Sequence, residues 1–169
     1  MAVHRAPSGP AWRVHLRPTR DSDLAQTSGW LPEALAAAAG RSRAPYPSLR
    51  LDQFEAALPT DATLLIVALG DDHPVGVLVL TTRTLAAQIE LLAIAEPRRN
   101  LGFGAEAVYA AEALRPGRSF LAGVPRENGL AIYFWLRVGY RPHYPSVDPR
   151  DLPVRRIWMK RDPLDLPMR

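Results

Sequence analysis

Hydrophobic and polar positions alternate with a period of two over residues 12–17: Trp12, Val14 and Leu16 are apolar, whereas Arg13, His15 and Arg17 are basic or polar. The pattern predicts a half-exposed strand, which Pro18 ends. Two longer apolar runs, 62–69 and 75–80, flank Gly70-Asp71-Asp72-His73-Pro74 and read as a hairpin. From Ile89 to Ala95 the chain is apolar except at Glu90 and stops at Glu96-Pro97, as a strand covered on both faces should. Gln88 begins that strand, and residues 119–124, 140–144 and 154–161 complete the predicted set.

Helices are predicted from caps and breakers. The segment from Thr19 to Asp23 offers several N-caps for a helix running to about Gln26 or beyond. Pro32 suits the first turn of a segment over 33–39, which Gly40 closes. Ser48 can cap residues 49–58, where Leu51, Phe54, Ala57 and Leu58 share a face ahead of Pro59. Residues 104–114 are strong helix formers, and a last helix over 129–138 is closed by Gly139. The helix over 104–114 joins two strands as a crossover, so 88–95 and 119–124 should be parallel, while the earlier strands form an antiparallel meander. The fold class is therefore α/β with a mixed sheet, in one domain over 12–162, with a loosely attached arm at 1–11 and a tail at 163–169.

At 169 residues, 47% hydrophobic and 22% charged, the chain can bury one substantial core. It has no cysteine, which removes disulfides, thiolate zinc sites and a cysteine acyl-enzyme; any acyl transfer must be direct or use another nucleophile. Net charge is +4, but 20 of the 21 basic residues are arginine, with Lys160 the only lysine, a bias that fits GC-rich coding. The basic residues are spread out rather than clustered with aromatics, so nucleic acid is not the expected partner, although an anionic ligand is favoured. The first ten residues lack a signal peptide's apolar core and no run is long enough to span a bilayer; a cytoplasmic protein with no membrane partner is expected. His4, His15, His73 and His143 show no metal-ligand spacing, and there is no G-x-S-x-G, so neither a metal nor hydrolase chemistry is expected.

Candidate chemistry concentrates where the strand over 88–95 turns into the next helix. Arg98 and Arg99 precede Asn100-Leu101-Gly102-Phe103-Gly104, and the unpaired N–H groups of a helix start, with the positive end of its dipole, suit a phosphate. The pattern is R-x-x-G-x-G; neither the dinucleotide fingerprint nor the ATP-binding glycine loop is present. Twenty-four residues past Gly104 begins a second motif, Asn128-Gly129-Leu130-Ala131-Ile132-Tyr133-Phe134-Trp135-Leu136-Arg137-Val138-Gly139-Tyr140.

The two motifs together resemble those of the GNAT superfamily of acetyl-CoA-dependent N-acetyltransferases, roughly P-x-x-R-G-x-G-x-G followed by N-x-x-A-x-x-[LF]-Y-x-x-x-G-[FY]. Arg99, Gly102 and Gly104 match the first, and Asn128, Ala131, Phe134, Gly139 and Tyr140 the second. Asn100 replaces the first glycine, a substitution its tolerance of left-handed angles allows, and Glu96 stands where proline is common, with Pro97 one later. The resemblance covers residues 12–162. It implies a single-domain GNAT fold: a mixed, mostly antiparallel central sheet of about six to seven strands with flanking helices and a parallel pair at the cofactor site. It implies acetyl-CoA as cosubstrate and direct acetyl transfer to a primary amine of a small molecule or a protein N-terminus.

For the site, the resemblance implies that Leu92, Ala93 and Ile94 present main-chain groups to pantetheine and that the N–H groups of Arg99, Asn100, Leu101, Gly102, Phe103 and Gly104 hold the pyrophosphate. Asn128 would bond the pantetheine arm, and Trp135 would lie near the thiol and shape the acyl pocket. Trp135 also occupies the place of the family's acid tyrosine, and indole cannot release a proton at neutral pH. Tyr133, about 200° away around the helix, is the substitute acid to test. Glu90 is the candidate base, with an ion pair to Arg17 or Arg83 as its structural alternative; Gln88 shares its face but cannot take a proton. His143 and Tyr144 are further titratable candidates. The acceptor is expected near Trp30, Tyr46 and the loop over 41–47. A CoA-binding or regulatory module that turns over no amine is the second reading, an RNA- or ribosome-associated protein the third. Whether the chain forms a homodimer stays open.

Overall fold

Each predicted strand of the first half is present at nearly its predicted length. In the computed structural model, which describes residues 12–41, 43–82, 86–144 and 156–163, the alternating segment is β1 (Val14–Pro18) and the hairpin is β2 (Ala62–Leu69) with β3 (Pro74–Thr81). They are followed by β4 (Ala87–Ile94), β5 (Phe120–Pro125), the short β6 (Arg141–Pro142) and β7 (Arg156–Arg161). One seven-stranded sheet results, in the order β1-β2-β3-β4-β5-β7-β6, with β4 and β5 parallel and every other pair antiparallel. The arm over 1–11, the tail from 164, the loop over 145–155 and Arg83 lie outside the described residues.

Helices cover both faces, which is why all of β3 is buried. On one face α4 (Phe103–Ala113) and α5 (Gly129–Arg137) pack Ala107, Val108, Ala111, Trp135 and Val138 against Leu78, Ile89 and Phe120. On the other, α2 (Leu31–Ala38) and α3 (Leu51–Ala56) bring Leu31, Ala34 and Leu51 onto Ile66, Val77, Val79 and Ala93. α1 (Asp21–Thr27) is tied to this frame by charge. Arg17, at the end of β1, donates from Nη1 to Asp23 Oδ2 and from Nη2 to Asp23 Oδ1, both at 2.8 Å, and from Nε to Asp72 Oδ1 of the hairpin at 2.7 Å. Asp72 also receives His15 and Arg20. Behind α4, Tyr140 donates to Glu112 Oε1 (3.0 Å) and Arg161 stands 3.6 Å from Glu112 Oε2; burial pushes both the Glu112 carboxyl and the Tyr140 phenol up.

Two predicted elements are shorter than expected. The helix expected over 49–58 is Leu51–Ala56, because its cap is Arg50, whose backbone N–H donates to the Gln53 side chain at 3.1 Å, and not Ser48. The strand expected over 140–144 keeps only Arg141 and Pro142, since the Tyr140 N–H still closes α5 on Trp135 O.

Two features of β4 set up everything that follows. Val79 pairs with Leu91 and Leu80 with Ile89, so Glu90 is the extra residue of a β-bulge. On the other edge, residues 87–89 pair with 120–122 and the parallel ladder then stops. Beyond it β4 stays with β3 and β5 with β7, so a cleft opens between residues 90–94 and residues 123–125.

Candidate active site

The end of β4 leads into a single 3-10 turn (Glu96–Arg98) and then into the glycine segment. Asn100 has φ 61° and Gly102 φ 89°, so the asparagine takes the left-handed angle required of it and α4 starts directly after a second left-handed residue. The first intrahelical bond recorded runs from Glu106 N–H to Gly102 O (3.1 Å), which leaves the preceding N–H groups without an intrahelical acceptor. Arg99 folds back, its Nε donating to Ile94 O at 2.9 Å, and fixes the turn to the strand. At Gly104 a Cβ would come within 3.2 Å of the Phe134 ring, so glycine lets α5 close on the loop.

A cation missed in the sequence completes this cradle. Arg13 lies over it, donating to Leu101 O (2.7 Å) and to Glu106 Oε1, with its own backbone N–H on Glu106 Oε2 (2.7 Å) and its guanidinium 4.8 Å from the centre of the Phe103 ring. In the sequence Arg13 is only the polar member of an alternating strand, 88 residues from Leu101. The cradle and the open edge of Leu92, Ala93 and Ile94 are what a long phosphorylated ligand with peptide-like groups requires: hydrogen-bonding backbone along a strand, then an electropositive helix start. Ala93 turns its side chain into the core under α2, whereas Leu92 and Ile94 pack towards α4.

Glu90 stands at the head of the cleft. Thr81 Oγ1 donates to Glu90 Oε1 (3.2 Å), and Arg156 Nη1 lies 3.6 Å from Glu90 Oε2. Among the described residues the ion partner is an arginine from β7, while Arg17 is consumed by Asp23 and Asp72; Arg83 lies outside the described residues. Gln88 pairs with Thr81 across the strands and so does share this face.

Three further expected residues lie on α5 or at its start. Trp135 is 6% exposed and packs edge-on against Phe134 (5.2 Å) and Tyr140 (4.7 Å), as part of the core. Tyr133 is 60% exposed on α5, its ring 5.9 Å from the Arg137 guanidinium carbon. Asn128 spends its amide on two helices: Oδ1 accepts from Ala131 N–H (3.1 Å), and Nδ2 donates to Ala37 O (3.0 Å) and Ala38 O (3.3 Å). The carbonyls ending α2 need donors, and Asn128 supplies them.

His143 and Tyr144 stay outside the cleft. His143 lines a cavity of about 420 Å³ with Arg141, Lys160, Arg161 and Asp162 at the β6–β7 edge, and Tyr144 is almost fully exposed. That cavity is the larger of the two described, but none of the glycine motif reaches it. The other, of about 180 Å³, lies between α2 and the loop over 41–47 and is lined by Leu35, Ala39, Arg41, Tyr46 and Leu49. Among the described residues no cluster of His, Asp and Glu could hold a metal ion, and no helix is long and apolar enough to cross a membrane.

The sequence pattern of the acetyltransferase (GNAT) family matches residues 31–140. None of the curated protein sequences is significantly similar. Solved structures share the fold at low identity. An acetyltransferase from Thermus thermophilus superposes with a TM-score of 0.66 at 21% identity, over 89% of this chain and 97% of that one. The PaiA N-acetyltransferase of Thermoplasma acidophilum, solved with coenzyme A, gives 0.63 at 14% identity, over 88% and 98%. A spermidine N-acetyltransferase of Vibrio cholerae, solved with CoA and spermine, gives 0.58 at 15%, over 88% and 93%.

Proposed function

The chain belongs to the acetyltransferase (GNAT) family, whose cosubstrate is acetyl-CoA, and from that premise we propose that it acetylates a primary amine by direct transfer, with Glu90 as the base. The observation that carries this reading is the coincidence of three features on one strand. β4 loses its β5 partner after Ile89, bulges at the carboxylate Glu90, and ends in the cradle of residues 99–104. The residues fit the cosubstrate: the open edge of Leu92, Ala93 and Ile94 suits pantetheine, and the N–H groups of the cradle, with Arg13 and Arg99 beside them, suit a pyrophosphate.

Bound acetyl-CoA supplies the activated thioester. Glu90 accepts a proton from the acceptor's ammonium, which has no lone pair until it does; Thr81 orients that carboxylate by donating to Oε1. A C–N bond then forms at the acetyl carbon as the C–S bond breaks. The nitrogen releases its second proton to solvent as the adduct collapses, and the leaving thiolate takes one from solvent, since Trp135 is buried in the core and cannot donate. CoA thiolate leaves readily enough that holding amine and thioester together supplies much of the rate. The cavity beside Tyr46 supports an acceptor site on the α2 side.

The test is calorimetric titration with acetyl-CoA, followed by thiol release in the presence of amines. Micromolar binding is expected for the natural chain and at least about tenfold weaker binding for Arg99→Glu, which reverses a charge beside the cradle and breaks its bond to Ile94 O. Glu90→Gln should keep the affinity for acetyl-CoA and lose about 10²–10⁴ in kcat. A folded protein that binds no acetyl-CoA refutes the reading. Tight binding with no amine turned over would favour the CoA-binding module, which the lack of a placed acid already makes the second reading.

A further inference from the structure

Glu90 has a positively charged companion, and reaching it requires a glycine. Arg156 and Trp158 lie two residues apart on β7, where Gly123 of β5 pairs with Trp158. A Cβ at position 123 would meet Arg156 Nη1 at 3.1 Å, Arg156 Cδ at 3.2 Å and Trp158 Cη2 at 3.3 Å. Glycine there lets the arginine cross β5 and bring Nη1 to 3.6 Å from Glu90 Oε2. At that separation the charges attract without a hydrogen bond, and both side chains keep solvent exposure, 37% for Arg156 and 30% for Glu90. Ala122 is the last β5 residue paired with β4, so Gly123 stands directly across the mouth of the cleft from the Glu90 bulge. The same patch holds a buried donor with no acceptor, Trp158 Nε1.

Among the described residues, the α2 and α3 side of the cleft is poor in free acid. Residues 31–49, which form α2 and the loop beside the smaller cavity, contain one carboxylate, Glu33, against Arg41 and Arg43. On α3, Asp52 is held by Arg50, and Glu55 accepts from Thr19. A polycation needs several carboxylates along its length. Here the cleft offers Glu90, and Glu90 already faces an arginine.

On the footing of the acetyl transfer proposed above, we infer that the acceptor is a carboxylate-bearing amine of the amino-acid class, its ammonium on Glu90 and its carboxylate on Arg156. The bound zwitterion exchanges partners with the Glu90–Arg156 pair, so each charge keeps an opposite charge as water leaves and none is left unpaired. Its ammonium and carboxylate lie a few bonds apart, the spacing at which the two side chains stand. In the reaction the ammonium gives one proton to Glu90, its nitrogen bonds the acetyl carbon as the C–S bond breaks, the second N–H proton passes to solvent, from which the thiolate is protonated, and the carboxylate stays on Arg156 unchanged. A spermidine-like amine would place a second cation against the guanidinium.

The experiment is thiol release from acetyl-CoA with the twenty L-amino acids, their amides and spermidine, on the natural chain, Arg156→Met and Arg156→Lys. At least one acid should be turned over with kcat/KM about tenfold or more above its amide and above spermidine. Arg156→Met should raise KM for that acid about 10–100-fold and bring the acid-to-amide ratio of kcat/KM down towards one, and Arg156→Lys should recover part of that ratio. Preference for amides or spermidine, an acid-to-amide ratio unmoved by Arg156→Met, or no acid turned over by a protein that binds acetyl-CoA would each overturn the inference. Failure to bind acetyl-CoA would instead overturn the transfer reading, and this inference with it.

Discussion

Asp23→Ala will cost about 3–5 kcal/mol of stability, the largest loss expected from any single change outside the apolar core. Asp23 is fully buried and Arg17 only 6% exposed, and their two 2.8 Å bonds satisfy a guanidinium that has almost no access to water. Removing the carboxylate strands that charge with Asp72 as its remaining acid. It also takes the acceptor from the Arg20 N–H at the start of α1 (2.8 Å). Asp72→Ala should cost less, because its carboxylate is 40% exposed and Arg17 would keep Asp23. The hydrogen bond from Arg17 holds the Asp23 carboxyl below its ordinary value. A carboxyl depressed in the folded state contributes stability above its unfolded pKa, near 3.9, and loses it as pH falls through the folded value. The gap between the natural chain and Asp23→Ala should therefore be full at pH 7 and shrink below about pH 4. Urea denaturation at both pH values reads it, and a gap under about 1 kcal/mol at pH 7 would show that the pair is dispensable.

Glu90 illustrates what the sequence could and could not reveal. A carboxylate in an apolar strand beside a glycine loop is conspicuous, and β4 does carry it into the cleft. Its partner was invisible because Arg156 lies two strands away, and the contact depends on Gly123 allowing passage over β5, which no spacing encodes. The bulge was hidden as well, since apolar residues on both sides of Glu90 read as one unbroken strand. Arg13 was missed for the same reason as Arg156: long-range pairing follows from topology, not from local pattern. Trp135 differs. Ala131, Phe134, Trp135 and Val138 recur at helical spacing, and that stripe is the side of α5 packed on the core, so the buried indole was open to inference from period alone. The family motif drew attention to the chemistry of that position and away from its place on the apolar stripe. Asn128 offered two readings, helix cap and ligand contact; the structure shows the cap, with the amide also donating to the end of α2.

Gly102→Val should weaken acetyl-CoA binding about 100-fold, which separates a ligand cradle from an ordinary strand-to-helix turn. Gly102 sits at φ 89°, where a β-branched residue is strained by about 1–3 kcal/mol, and relaxing that strain would re-aim the N–H groups that open α4. A Cβ there would also lie 3.0 Å from Arg13 Nη2, pressing the guanidinium off Leu101 O and moving the cation away from the anion site. Strain alone could lower affinity by loosening the whole fold, so Gly117→Val serves as the control. Gly117 has a comparable φ of 76° in the turn after α4, has nothing within 4 Å of its Cβ position, and lies beyond the opposite end of α4 from the cradle. The two variants should lose similar stability by denaturation, while only Gly102→Val loses acetyl-CoA in calorimetric titration. Equal affinity in both would mean that the glycine turn merely connects β4 to α4. Loss confined to position 102 would assign the phosphate to the cradle itself, the backbone N–H groups that this left-handed residue aims together with the Arg13 guanidinium held over them.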